Sequence, residues 1–203
     1  MRTLQTGTLT VPWPYDTKRK LFNLTGLHAL NEDSIEVHWG LRNLSALKDE
    51  TSCLLVAKVD GLPYSNILEV LEHRLNTIVQ DKNLVTPIQQ HLAIYSLFAN
   101  AAILHIYMFL RDLSRGLPFF HLLSLRIRTV LEMADISRLK TWWILLMGGL
   151  CGAENSERGW FAAVLADFCL ELGVHGGNEI TVMLSEFIWS GLYRSPVTMG
   201  LLE

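Results

Sequence analysis

Seven histidines, at positions 28, 38, 73, 91, 105, 121 and 175, are the side chains best suited to bind a metal or move a proton near neutral pH. No two of them stand at the i, i+4 spacing that would put both imidazoles on one helix face. His91 and His105 share one expected helix but lie about 21 Å apart along its axis, too far to hold one ion. Each histidine therefore reads as a surface or hydrogen-bonded core imidazole. Glu69 and Glu72 form an i, i+3 carboxylate pair beside His73. General acid–base work needs such a pair in a cleft, and the surrounding residues suggest only a solvated helix face. Cys53, Cys151 and Cys169 are too scattered for a zinc site or a disulfide framework and fit a reducing, intracellular setting. Gly148, Gly149 and Gly152 follow a Trp-rich apolar run rather than a strand, and no Lys follows at phosphate-binding spacing. They are expected to end a helix or let one pack closely. The motifs of zinc proteases, of serine hydrolases with a nucleophile elbow and of phosphate-binding loops are all missing from the sequence. The expectation is a chain that is not an enzyme, with no metal and no cofactor.

Basic residues give little more. Lys18-Arg19-Lys20 is a short match to a nuclear import signal and is expected to be a solvated turn. Arg126, Arg128, Arg138 and Lys140 could meet phosphate, but Glu132 and Asp135 interrupt them, which favours a salt-bridged helix face. Over the 203 residues, 17 Lys and Arg face 20 Asp and Glu, so bulk electrostatics do not favour nucleic acid. Residues 141–203 carry Arg158 and Arg194 against seven acids, and this acidic third favours protein partners over DNA. Half the residues are apolar, 18% are charged and the mean hydropathy is +0.25, which excludes a disordered chain. Residues 1–20 have no apolar block of signal-peptide length, so the sequons at Asn23 and Asn43 are expected to be unused.

The elements that would position these residues are helical nearly throughout. Residues 1–20, with Pro12 and Pro14, are expected to be irregular, and 21–203 to form one all-helical domain. Short helices are expected at 21–31 and at 34–48, the latter capped by Asp33 or Ser34. Residues 51–59 are the one strand candidate and could equally be helix, followed by a turn at Asp60-Gly61-Leu62-Pro63. Asn66 with Glu69 reads as a capping box opening a helix whose apolar face carries Ile67, Leu68, Leu71, Leu75, Ile78 and Val79. Thr86-Pro87 opens a long helix stopping at Gly116, and Leu117-Pro118 opens one ending near Ala134. Asp135 or Ser137 starts a helix to Gly148-Gly149, Asn155 or Ser156 starts one to Gly173, and a last helix covers 180–189 beyond the Gly176-Gly177-Asn178 break. The expected fold is all-α, an antiparallel bundle or array of about six to eight helices around one core. Residues 92–110 contain no Asp, Glu, Lys or Arg, which meets the length criterion for a membrane span. Ser96, Asn100, His105 and Tyr107 within it fit a helix buried on all sides better, because neighbouring helices can supply hydrogen bonds.

The order of features from Pro87 onward resembles a known family. YSLFANAAILHIY at 95–107 looks like a central alanine-rich helix, and Leu117-Pro118 like a step into the next one. WWILLMGG at 142–149 looks like an apolar helix ending in small residues, ERGWF at 157–161 like an Arg-x-Trp-Phe step, and LSEFIW at 184–189 like a closing helix. Together they resemble the regulatory ("fungal-specific") domain found C-terminal to the binuclear zinc-cluster DNA-binding module of fungal transcription factors. The likeness covers residues 20–195. The family's cysteine-rich zinc-cluster module, opening C-x2-C-x6-C, has no counterpart here, so neither zinc nor direct DNA binding carries over. The resemblance implies a nuclear, transcription-regulatory domain. Its partners would be proteins of the transcription machinery, a homologous subunit or a small-molecule effector. Trp142, Trp143, Arg158, Trp160 and Trp189 are the candidate lining of an effector pocket, indoles with one cation. The alternatives are a membrane-associated helical protein anchored by residues 92–110, or a non-functional gene fragment truncated at its N-terminus.

Overall fold

The computed structural model describes residues 32–50, 58–59, 62–80, 90–114, 116–133, 142–152, 156–174, 179, 184, 188 and 190–194. Within them lie six α-helices: α1 (Glu32–Glu50), α2 (Tyr64–Gln80), α3 (Gln90–His105), α4 (Pro118–Met133), α5 (Trp142–Cys151) and α6 (Ser156–Leu172). A π-helical turn at Ile106–Leu110 extends α3, and a 3-10 turn spans Gly191–Arg194. Of the strand candidate at 51–59, Lys58–Val59 form β1, which pairs antiparallel with β2 (Leu62–Pro63); Leu62 and Pro63 of the expected turn are thus strand residues, and Asp60 and Gly61 lie outside the described residues. The expected helix at 21–31, the Thr86-Pro87 start, the Asp135 or Ser137 cap and the 176–178 break lie outside the described residues, as does most of the closing helix.

Each helix is explained by its sequence. On α1, Val37, Leu41 and Leu44 recur at helical spacing and are buried. On α2 Ile67, Leu68, Leu71 and Leu75 of the expected apolar face are buried, Ile78 and Val79 are half-buried, and Tyr64 joins the buried set. The capping box is not used as expected. The helix begins at Tyr64, so Asn66 and Glu69 lie inside it rather than at its threshold. The ladder delivers the chain into the helix two residues earlier, and tertiary packing of Tyr64 outweighs a cap that water can replace. On α4, Pro118 takes the first position, where its missing N–H costs nothing. Gly173, at a φ of 66°, ends α6 as expected. The stop after α3 is different. The helix widens into the π turn, with Arg111 N–H donating to the Ile106 carbonyl at 2.8 Å, and Asp112 at a φ of 53° turns the chain away. Gly116 is therefore not the terminator, and Asp is one of the few residues that tolerates this left-handed backbone.

Two helices form the centre. From Leu97 to Leu110 every residue except Tyr107 is buried, and α5 is buried along its whole length. Ala99, Ala101 and Ala102 let neighbours approach α3 closely. α1, α2, α4 and α5 all pack against it, and α6 packs most extensively on α5. The stretch Ala93–Leu110, 18 residues at mean hydropathy 1.6, is long and apolar enough to cross a membrane, and 72% of it is buried inside the fold. Ion pairs clamp the outer helices. Arg111 forks onto Glu72, with Nε to Oε1 at 2.5 Å and Nη2 to Oε2 at 2.9 Å, and Arg74 pairs with Glu36. Glu72 thus ties α2 to the bend after the π turn rather than lying on a plain solvated face.

Candidate functional site

The most chemically specific cluster lies at the C-terminal end of α3, where four elements meet. α1 supplies Ser45, α3 ends on His105, α5 supplies Trp143 and the 3-10 turn supplies Tyr193; all four are buried. Ser45 Oγ lies 2.7 Å from His105 Nε2 and 2.8 Å from the Leu41 carbonyl. Tyr193 OH lies 2.7 Å from His105 Nδ1, and Trp143 Nε1 donates to Tyr193 OH at 3.1 Å.

The donors and acceptors set one direction for this chain of bonds. An indole N–H can only donate, so the Tyr193 oxygen accepts from Trp143 and its own proton goes to His105 Nδ1. His105 then carries its proton on Nε2 and donates to Ser45, whose hydroxyl donates on to the Leu41 carbonyl. The imidazole is neutral in this arrangement. Burial holds its pKa down at about 3, with the Lys48 ammonium adding to the effect. Burial also raises the Tyr193 hydroxyl well above the ordinary phenol range, although the Trp143 bond pulls the other way.

The Ser45–His105 contact has the distance of a nucleophile–base pair but the opposite polarity. His105 presents a proton to Ser45 Oγ instead of a lone pair, and both groups are sealed from solvent. The chain of bonds acts as a polar pin through an aromatic core. Around His105 stand Phe109, Trp143 and Tyr193, with ring centroids at 5.4, 5.8 and 5.9 Å. His105 is thus a hydrogen-bonded core imidazole, as its isolated position in the sequence suggested.

The pin is anchored from outside. Asp49 accepts from Ser190 Oγ at 3.0 Å and from the Gly191 N–H at 2.7 Å, capping the 3-10 turn that carries Tyr193. Lys48, one residue earlier, donates to the Leu110 carbonyl at 3.3 Å and to Asp112 at 2.6 Å, closing the π turn. Asp49→Ala is expected to loosen residues 190–194 by about 1 kcal/mol, the value of a lost helix cap. Faster amide exchange at Gly191 and Tyr193, with unchanged exchange in α5, is the reading that checks it.

The five residues singled out as an effector pocket do different things. Trp142 and Trp143 are adjacent on α5 and diverge. Trp142 meets Phe168 of α6 edge-on at 5.9 Å, while Trp143 turns to His105 and Tyr193. Arg158 sits half-buried in the first turn of α6. Trp160, on the same helix, carries a cation over its ring at 5.2 Å, but that cation is Arg128 of α4. Trp189 lies outside the described residues. Arg128 also pairs with Glu132 at 2.7 Å, the salt-bridged face expected there. His121 of α4 meets Glu157 of α6 at 2.8 Å. Sequence reasoning missed Ser45 and Tyr193, which lie 60 and 88 residues from His105 and carry no local signal. Among the described residues no group of three His, Cys, Asp or Glu side chains could hold a metal ion.

Compared with protein-family models, curated proteins and solved structures, the chain matches none.

Proposed function

We propose that this chain is a transcription-regulatory, protein-interaction domain without a DNA-binding module of its own. One observation carries the reading. The segments that resemble the fungal regulatory domain, 95–107, 117–118, 142–149 and 157–161, are consecutive, mutually packed parts of α3 to α6. Such a domain works by presenting rigid helix surfaces to partners, and the buried pin at His105 gives the array that rigidity. Its location in this reading is the nucleus.

The test is a fusion of the whole chain to an unrelated DNA-binding module, read on a reporter gene. A change in reporter output of severalfold, up or down, is expected relative to the module alone. A stable, nuclear fusion that leaves the reporter unchanged overturns the proposal. Within it, Arg158→Ala is expected to alter the reporter response while shifting the melting temperature little, because Arg158 is only half-buried. Equal loss of both would remove any effector role for that residue.

The apolar length of α3 favours a second reading, a membrane-associated protein anchored by residues 92–110. In lipid that helix would have to give up the bonds from His105 to Ser45 and Tyr193. Alkaline carbonate extraction separates the two: release into the supernatant is expected, and retention in the membrane pellet would establish the anchor.

A further inference from the structure

α6 turns Asp167 and Glu171 to the water, but beside them runs an exposed strip without charge. Glu157, Phe161, Leu165 and Phe168 face the core. The opposite side, Gly159, Ala163, Ala166 and Leu170, is exposed and wholly apolar, with Leu170 at 70% exposure the most exposed large apolar side chain among those described. Apolar residues on both sides of one helix mark a face that, among the described residues, lacks its cover.

We propose that the cover is α6 of a second copy of this chain, packed antiparallel about a twofold axis between Val164 and Leu165. The face is complementary to itself in that register. Leu170 of one copy falls opposite Gly159 of the other, where a side chain would meet nothing within 4 Å. Ala163 falls opposite the second copy's Ala166, so the axes can come within about 8 Å. The flank agrees in charge. Trp160, Val164, Asp167 and Glu171 form the row beside the apolar face at the i, i+4, i+7, i+11 positions. A twofold axis normal to two antiparallel helices keeps each flank on its own side, so the second copy's Asp167 and Glu171 bracket Trp160 and the Arg128 guanidinium stacked on it. Asp167 and Glu171 are like charges at i, i+4 with no ion pair among the described residues, and a facing cation relieves that repulsion. Arg128 keeps Glu132 and has further N–H donors to offer.

α6 is only about 25 Å long. One such helix pair falls near or below the lower limit of about 1,200 Å² for stable interfaces, so the dimer is weak and concentration-dependent. The inference does not depend on a role in transcription. The experiment is sedimentation equilibrium of the full chain from low to high micromolar concentration. A reversible monomer–dimer equilibrium is expected, weakened at least tenfold by Ala166→Glu, which sets charge against the apolar face. Gly159→Leu is the second variant. It improves helix propensity and so raises the melting temperature of the dilute monomer, yet weakens the dimer about tenfold by setting Leu against Leu. Adding Leu170→Gly to Gly159→Leu exchanges knob and hole and restores dimerisation. A chain that stays monomeric throughout, a dimer indifferent to Ala166→Glu, or a double variant no better than Gly159→Leu overturns the proposal.

Discussion

Gly148→Ala is expected to destabilise the fold by about 2 kcal/mol, against the direction that helix propensity alone gives. An exchange of Gly for Ala inside a helix ordinarily stabilises by about 1 kcal/mol. At this position the new methyl would stand 2.4 Å from Cε1 and 2.5 Å from Cζ of Phe161. Phe161 is itself buried against the core and meets Trp160 edge-on at 4.9 Å, so the ring has nowhere to retreat. Overpacking of this kind costs about 1–3 kcal/mol, and contact this close puts it at the upper end. The same glycine carbonyl accepts from Ser124 Oγ at 2.8 Å, so pushing α6 off α5 also strains the join to α4. Urea denaturation of the two proteins measures the difference. A cycle with Phe161→Ala assigns the cause. Phe161→Ala alone costs about 3–5 kcal/mol through its cavity, and the added methyl should then cost nothing or help, because it fills part of that space. An additive pair would mean that Gly148 acts by some route other than the Phe161 ring.

Stability is expected to depend steeply on acid through His105. Its folded pKa is about 3, against about 6.5 in the unfolded chain, so the unfolded state binds the extra proton between those values. The neutral imidazole contributes its full stability above about pH 6.5, and that contribution falls by about 1.4 kcal/mol per pH unit as pH drops towards 3. The hydrogen bonds give the same answer. A protonated ring donates from both nitrogens, and the Tyr193 hydroxyl, already accepting from Trp143, could no longer give its proton to Nδ1. His105→Gln should flatten this part of the pH profile while lowering stability at pH 7. Tyr193→Phe removes the acceptor of Trp143 Nε1 and the donor to His105 Nδ1, leaving two buried groups unmatched at a cost of about 2–4 kcal/mol at pH 7. Chemical denaturation of the wild type and both variants at steps from pH 7 to pH 4 checks this. Parallel profiles for wild type and His105→Gln would show that the imidazole does not carry the dependence.

Much of the fold was legible because it is written at short range. The apolar spacing of Ile67 to Leu75, the Leu117-Pro118 helix start, the Ser156 start and the Gly173 stop are all patterns within a few residues of each other. At the Gly148 cluster the sequence left a helix end and close packing both open; Gly148 and Gly149 lie inside α5, and it is close packing against Phe161 that Gly148 serves. Misplaced boundaries came where tertiary contacts outweigh local preference. Tyr64 buries itself and starts α2 ahead of its capping box, and Lys48 and Asp112 close α3 before Gly116 is reached.

By itself, then, the sequence determined an all-helical chain with two central segments free of Asp, Glu, Lys and Arg. It also determined the lack of any recognisable catalytic motif and an ordered set of features resembling a fungal regulatory domain. Helical periodicity and turn chemistry are local, and a single chain displays them openly. Only the tertiary structure decided that His105 pairs with Ser45 and Tyr193 and which nitrogen bears its proton. It also decided that Trp160 takes its cation from Arg128 rather than Arg158, and that a strip of α6 from Gly159 to Leu170 is apolar and exposed. Those facts depend on which side chains meet across gaps of tens of residues, and on how much water is left between them once the helices have packed.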